Sequence, residues 1–313
     1  MLTKTQPIPQ GETLENVSHP MERFLRTDRL PHIWCSGCGL GTVLSCFTYA
    51  LDELGLTETD IGVVSGIGCT GRAAGYLNLD SYHTTHGRAI AFATGLAVAK
   101  PDKKVVVISG DGDLFAIGGN HFIHAARRNI NMTVLCANNF NYGMTGGQFG
   151  PTTPIGMRGT TAPYGNYESP FNLPYLAASS GAAYVARWTS LHARRLKESI
   201  VEALTIPGFT FVEAVCPCPT NYGRRNRIGE GLDELKYYAE RSVIKHGADP
   251  AEGDLTPGKD VVIGRFVHKE RPTFLQAYEQ QIIDKHQFVK PQGMGKGPHR
   301  SSGATSTSGK AAA

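Results

Sequence analysis

No run of 18 apolar residues occurs in this 313-residue sequence, because the longest apolar stretches are broken by Gly, His or charge, so no membrane-spanning helix is expected. The first 30 residues hold no apolar core of signal-peptide type, which makes a cytoplasmic protein the expectation. An excess of one charge is also missing. With 31 Lys and Arg against 27 Asp and Glu, the formal net charge of +4 is too mild to argue for nucleic acid, and no strand-helix pattern resembles a nucleic-acid module. Cysteines are not paired by number either. The seven are Cys35, Cys38, Cys46, Cys69, Cys136, Cys216 and Cys218, and an odd count without a secretory signal argues for reduced thiols, some of a kind that hold metal.

What is present is an alternation of helical and β patterns. A chain this long holds one large α/β domain or two small ones. Residues 1–30 are polar and Pro-punctuated and read as an extended arm. The next block, 31–220, reads as helix 40–54, strand 61–65, helix 88–100, strand 105–109, a helical crossover and strand 132–137. A Gly-, Thr- and Pro-rich loop of 141–170 follows, then strand 183–186, helix 191–204 and strand 209–215. Strand and helix in turn imply a mostly parallel sheet with helices on both faces. Beyond it, 221–290 reads as an extension packing on the domain or on a partner, with a helix over 232–244 and no core-like pattern after it. The tail 291–313 is low-complexity and reads as disordered.

One spacing carries chemistry. Gly110-Asp111-Gly112 ends one β-branched run, and Asn138-Asn139 ends the next, with residues 113–137 between them. A right-handed βαβ unit brings both ends to the carboxyl edge of the sheet, where open α/β sheets bind ligands. Glycines let the backbone approach an anion, and Asp plus Asn oxygens suit Mg2+, which favours a few protein oxygens with phosphate oxygens. A metal-held diphosphate is the predicted ligand. The pattern resembles the thiamine diphosphate (ThDP) fingerprint, and that resemblance implies metal binding by Asp111, Asn139 and the main-chain carbonyl of Asn141.

The thiols form a second constellation. Cys35 and Cys38 sit in a tight CxxC turn compatible with zinc, a redox pair or an iron-sulfur cluster. Cys69 follows strand 61–65, and Cys216 and Cys218 follow strand 209–215, so the segments converge on the rim that carries the diphosphate signal. Cys46 and Cys136 lie in apolar runs and read as core. Four thiolates beside an organic cofactor fit zinc as a staple, but electron transfer is the more economical reading, since a cluster can remove electrons from an electron-rich adduct one at a time.

The sequence resembles the β subunit of the 2-oxoacid:ferredoxin oxidoreductases over roughly residues 25–230. The resemblance rests on WCSGCG (34–39), SGIGCTGR (65–72), HTTHGR (83–88), GDGD (110–113), AIGGNH (116–121), NNFNYGMTGGQ (138–148) and PCPTN (217–221). It implies a ThDP-binding fold and a 4Fe-4S cluster on Cys35, Cys38, Cys69 and Cys218, with Cys216 the rival for the fourth place. It also implies that Ile67, Gly68, Cys69 and Thr70 line the cofactor, that His86 approaches its diphosphate, and that Gly112, Asp113, Gly143 and Met144 complete the cradle. No role is assigned to His121 or His124.

The implied reaction is CoA-dependent oxidative decarboxylation of a 2-oxoacid with electrons passed to ferredoxin. No recognised segment contains the Glu that activates ThDP. The family places that Glu, the CoA site and much of the substrate site on an α subunit, so the isolated chain is expected to be inactive. Gly146 stands where some broad-specificity relatives carry a Lys, and the GDGD, AIGGNH, RRNI and GRRNRIGEG segments look most like the 2-oxoglutarate branch. Pyruvate or branched-chain 2-oxoacids are the alternatives within the family. A non-redox ThDP decarboxylase or synthase and a zinc-stapled binding module are the alternatives outside it. Arg224, Arg225 and Arg227 are read as solvated, with docking of the α subunit or an acidic ferredoxin as the rival reading.

Overall fold

The β-branched runs form neighbouring strands of one sheet, because a run apolar at every position needs cover on both faces. The computed structural model describes residues 19–286. Its elements begin with α1 (Leu40–Glu53), β1 (Ile61–Ser65), α2 (Ala73–Tyr76), β2 (Asp80–His83) and α3 (Ala89–Ala99). They continue with β3 (Lys104–Gly110), α4 (Gly119–Arg128), β4 (Met132–Asn138), and a small hairpin of β5 (Asn141–Tyr142) and β6 (Gln148–Phe149). Then come α5 (Leu173–Ser179), β7 (Tyr184–Thr189), α6 (Ala193–Thr205), β8 (Phe209–Val215), α7 (Gly231–Arg241), β9 (Ser242–Ile244), β10 (Val261–His268) and α8 (Phe274–His286).

Eight strands pair in the order β2-β1-β3-β4-β8-β7-β10-β9. Every neighbouring pair is parallel except β7 with β10. Alternate residues serve opposite faces. Val106, Ile108, Leu135, Ala137, Val212 and Ala214 pack with α1 and α6, while Val105, Val107, Val134, Cys136, Phe209 and Phe211 pack with α3, α4 and α5. Cys46 and Cys136 are core residues, as their apolar settings indicate.

Several local expectations need correction. The described part of the arm is not extended: residues 19–30 make short 3-10 turns that bury Met21 and Phe24 in the core. The crossover from β3 is not one helix but a wide π-type turn (Gly112–Ile117) followed by α4, with Gly118 and Gly119 at the junction. The helix expected to 244 ends at Arg241, and its last three residues become β9. The chain after it does have a core strand, β10, buried over most of its length. Its signal is hidden by Gly264 (φ 134°) and by a register shift between Arg265 and Val267, which interrupt the apolar run. Residues 1–18 of the arm and the whole 291–313 tail lie outside the described residues. From Gln276 onward the chain forms a separate unit, of which the described part is the remainder of α8.

Candidate functional site

From β1 the chain leaves for β2 on one side, and from β3 it leaves for β4 on the other. The loops therefore diverge at the carboxyl ends of β1 and β3, which is where a doubly wound sheet opens a crevice. A cavity of about 190 Å3 occupies it. It is lined by Ile67, Gly68, Cys69, Thr70, His86, Asp111, Gly112, Asp113, Asn139, Asn141, Gly143 and Met144, together with Gly110, Tyr142 and Thr145. Every predicted cofactor and magnesium residue thus faces one space. No glutamate is among the described residues that line it.

Asp113 is the knot that holds the first wall. Its Oδ1 accepts from the backbone N–H of Gly87 at 2.7 Å and of Ile67 at 3.1 Å, and lies 2.6 Å from His86 Nδ1; its Oδ2 accepts from Ser109 Oγ at 2.8 Å. With Nδ1 engaged, Nε2 is the free nitrogen of His86. Asp113 lines the cavity and fixes the neighbours that share its wall. Two glycines are required by this packing: a Cβ on Gly66 would fall 1.9 Å from Asp113 Oδ2, and one on Gly112 would fall 2.3 Å from Tyr142 Cε1.

On the second wall, Asp111 is buried, and burial pushes its carboxyl up to about 6 against the opposing effect of hydrogen bonds from Thr152 and the backbone of Gly112 and Asn139. Asn139 and Asn141 are buried as well, and Asn141 Nδ2 donates to the Asn139 carbonyl at 2.6 Å. Between them Phe140 adopts the left-handed region (φ 63°), held by Thr153 Oγ1 donating to its carbonyl at 2.5 Å. Asp111, Asn139 and Asn141 thus line one side of the cavity.

Adjoining this space is a smaller cavity of about 70 Å3, lined by Cys35, Cys38, Cys69 and Cys218 with Ile33, Trp34 and residues of the 139–144 and 219–221 segments. Cys69, Asn139, Gly143 and Met144 line both cavities, so they form a shared wall. Burial pushes the Cys38 thiol up to about 12 and the Cys69 thiol up to about 11, and in each case nearby Cys218 and Cys35 add to the effect. A Cβ on Gly143 would lie 3.5 Å from Cys69 Sγ and 3.7 Å from Cys218 Sγ. Cys216 does not face this cavity: it is 1% exposed in the core, with its Sγ 3.3 Å from the Ala214 carbonyl. Among the described residues, no three His, Cys, Asp or Glu side chains are grouped closely enough to hold a single metal ion.

Sequence reasoning missed several contributors. Thr152 and Thr153 lie in the 141–170 loop, flagged only by its length and position, yet they contact Asp111 and Phe140 directly. Glu234 on α7 accepts from the Cys218 backbone N–H at 3.2 Å, and burial pushes its carboxyl up to about 7. A buried acid in an otherwise amphipathic helix was the available signal. Arg224, Arg225 and Arg227 are exposed.

This fold and site define a ThDP-binding domain, and residues 65–214 match the family described as thiamine pyrophosphate enzyme, C-terminal TPP binding domain. Cys35, Cys38 and Cys218 fall outside that segment. A 2-oxoglutarate synthase subunit KorB of Methanocaldococcus jannaschii is 52% identical over 84% of this chain and 97% of its own. A 2-oxoacid:ferredoxin oxidoreductase subunit beta of Saccharolobus solfataricus is 40% identical over 80% of this chain and 86% of its own. The solved 2-oxoglutarate:ferredoxin oxidoreductase from Magnetococcus marinus, with 2-oxoglutarate, coenzyme A and succinyl-CoA bound, superposes with a TM-score of 0.75 at 34% identity, over 86% of this chain and 91% of that one. The chain belongs to the family of 2-oxoacid:ferredoxin oxidoreductase β subunits, of the KorB type. Among the described residues, no helix is long and apolar enough to cross a membrane.

Proposed function

We propose that this chain is the β subunit of a 2-oxoglutarate:ferredoxin oxidoreductase, which with an α subunit converts 2-oxoglutarate and coenzyme A to succinyl-CoA, carbon dioxide and a proton while two ferredoxins are each reduced by one electron. The observation that carries this reading is the shared wall between the cavity that Asp111, Asn139 and Asn141 face and the cavity that the four thiols line. A cofactor held in the first cavity and a cluster held in the second would be direct neighbours across that wall.

The donor sets fit the groups. Asp111, Asn139 and the Asn141 carbonyl would hold Mg2+, a hard cation that takes oxygen ligands, and a site with one carboxylate does not need three acidic side chains. Gly112 lines the cavity where the diphosphate would sit, and His86, oriented by Asp113, would meet it. Cys35, Cys38, Cys69 and Cys218 would hold a 4Fe-4S cluster, which is larger than one ion and takes its thiolates further apart than a mononuclear site does. Bound ThDP supplies the carbanion chemistry of decarboxylation, and the cluster supplies a one-electron acceptor. The chain's residues anchor, orient and desolvate. Trp34 donates from Nε1 to the Cys69 carbonyl at 2.8 Å, which ties the CxxC segment to the strand-end loop that serves both cavities.

The β-subunit naming of its relatives supports an α partner, which would bring the activating acid. All seven cysteines are free, which suits a reducing, cytoplasmic setting. The substrate reading predicts that the enzyme, co-expressed with its neighbouring subunit and purified without oxygen, shows its highest kcat/KM with 2-oxoglutarate among several 2-oxoacids. Equal or better turnover of pyruvate or a branched-chain 2-oxoacid would replace the substrate. A colourless, iron-free preparation that still binds ThDP would favour a non-redox decarboxylase, and zinc without ThDP binding would favour a stapled module.

A further inference from the structure

Arg187 on β7 and Glu213 on β8 are register partners whose Nε and Oε2 lie 2.7 Å apart, with both side chains 0% exposed. Such a pair is weak evidence for stability, because the desolvation of two charges offsets their attraction, and apolar residues of similar size often serve as well. Arg187 moreover leaves Nη2 without a partner. What the pair does supply is a fixed acceptor beside Asn138. Asn138 Nδ2 donates to Glu213 Oε1 at 2.8 Å, which settles which way the amide points. Asn138 Oδ1 then accepts from the Phe140 backbone N–H at 3.1 Å and lies 2.9 Å from Thr152 Oγ1. The Thr152 hydroxyl has one proton and a second neighbour, Asp111 Oδ2, at 2.5 Å. An ionised carboxylate at that distance is the stronger acceptor. Thr152, Asn138 and Asp111 are all buried.

We infer that Arg187, Glu213, Asn138 and Thr152 are positioning residues that set both halves of the cation site: Thr152 holds Asp111, and the Asn138 amide holds the Phe140 turn that presents Asn139 and Asn141. The inference rests on the reading that these residues hold the cation of a diphosphate cofactor. A reversed Asn138 amide would aim its NH2 at the Phe140 N–H, so the Glu213 contact decides whether the turn forms as seen. The buried ion pair is retained for orientation.

The test uses the anaerobically assembled complex with its partner subunit, and measures Mn2+ affinity in the presence of ThDP from the spectrum of free Mn2+. Partners that orient metal ligands typically contribute about 10- to 100-fold in affinity. Thr152→Val is expected to weaken Mn2+ binding by about that factor, while Thr152→Ser, which keeps the hydroxyl, stays near wild type. A second variant, Arg187→Met combined with Glu213→Leu, removes the ion pair while keeping apolar volume. It also leaves Asn138 Nδ2 and the Gly253 carbonyl without their buried partners, so it is expected to melt below the wild type while still folding, and to show a similar affinity loss read on the folded, assembled complex. If either folded variant binds Mn2+ as the wild type does, the positioning role is wrong. If Thr152→Val does not fold, the paired variant decides. If the wild-type complex itself binds no Mn2+ with ThDP, the cation-site reading fails and the inference falls with it.

Discussion

Asp111→Ala is expected to abolish retention of ThDP and to lower CoA-dependent oxidation of 2-oxoglutarate by the assembled enzyme by about a thousandfold or more. Asp111 is the carboxylate in a proposed donor set whose other members, Asn139 and the Asn141 carbonyl, are neutral oxygens. A diphosphate brings negative charge into a buried edge, and the cation that offsets it needs an anionic protein ligand to stay there. Losing about 4 kcal/mol of that stabilisation corresponds to a thousandfold in rate, at 1.36 kcal/mol per factor of ten. Asp111→Asn keeps an oxygen but loses the charge and is expected to fall between. Thiamine content after gel filtration, together with ferredoxin-coupled turnover, provides the check. Stoichiometric thiamine and near-normal turnover in Asp111→Ala would remove this residue from the cation site.

Cys218→Ser is expected to leave the complex without an intact cluster and with ferredoxin reduction below about a tenth of wild type, whereas Cys216→Ser keeps both. The contrast follows from placement. Cys218 shares a cavity with Cys35, Cys38 and Cys69, but Cys216 turns into the core with its Sγ against the Ala214 carbonyl. Chain register alone does not separate these thiols, since both follow β8. A serine at Cys216 keeps a small polar group near the same carbonyl and is expected to be mild in stability. Iron analysis and visible absorbance of anaerobic samples read the outcome. Four irons per chain in Cys218→Ser, or their loss in Cys216→Ser, would exchange the two assignments.

Much of the central sheet was legible because its strands announce themselves. Ile61–Ser65 and Phe209–Val215 occupy the predicted positions, since fully buried parallel strands are mostly apolar runs closed by glycine, asparagine or proline, even where Thr210 and Glu213 interrupt the second. The placement of Asp111 and Asn139 was equally legible, because they end consecutive strands and handedness then places them side by side. What failed has physical causes. β10 carries a glycine and a register shift that break its periodicity, and the burial of Phe24 in the arm depends on distant residues such as Leu77. The roles of Thr152, Glu213 and Arg187 stayed hidden because the 141–170 loop has no periodic signal and a charge inside an apolar strand gives no hint of its partner. Asp113 lines the cavity, and what the sequence did not disclose is that it also ties His86, Gly87, Ile67 and Ser109 together.

In the proposed enzyme this chain holds one half of a redox active site, with the activating acid on another polypeptide. Ferredoxin reduction by 2-oxoglutarate and coenzyme A, measured anaerobically on the purified chain before and after reassembly with its partner subunit, tests it most directly. The account predicts no turnover above background for the chain alone, even when supplied with ThDP and Mg2+, and turnover once the partner is added. Coenzyme A-dependent turnover by this polypeptide alone would contradict it.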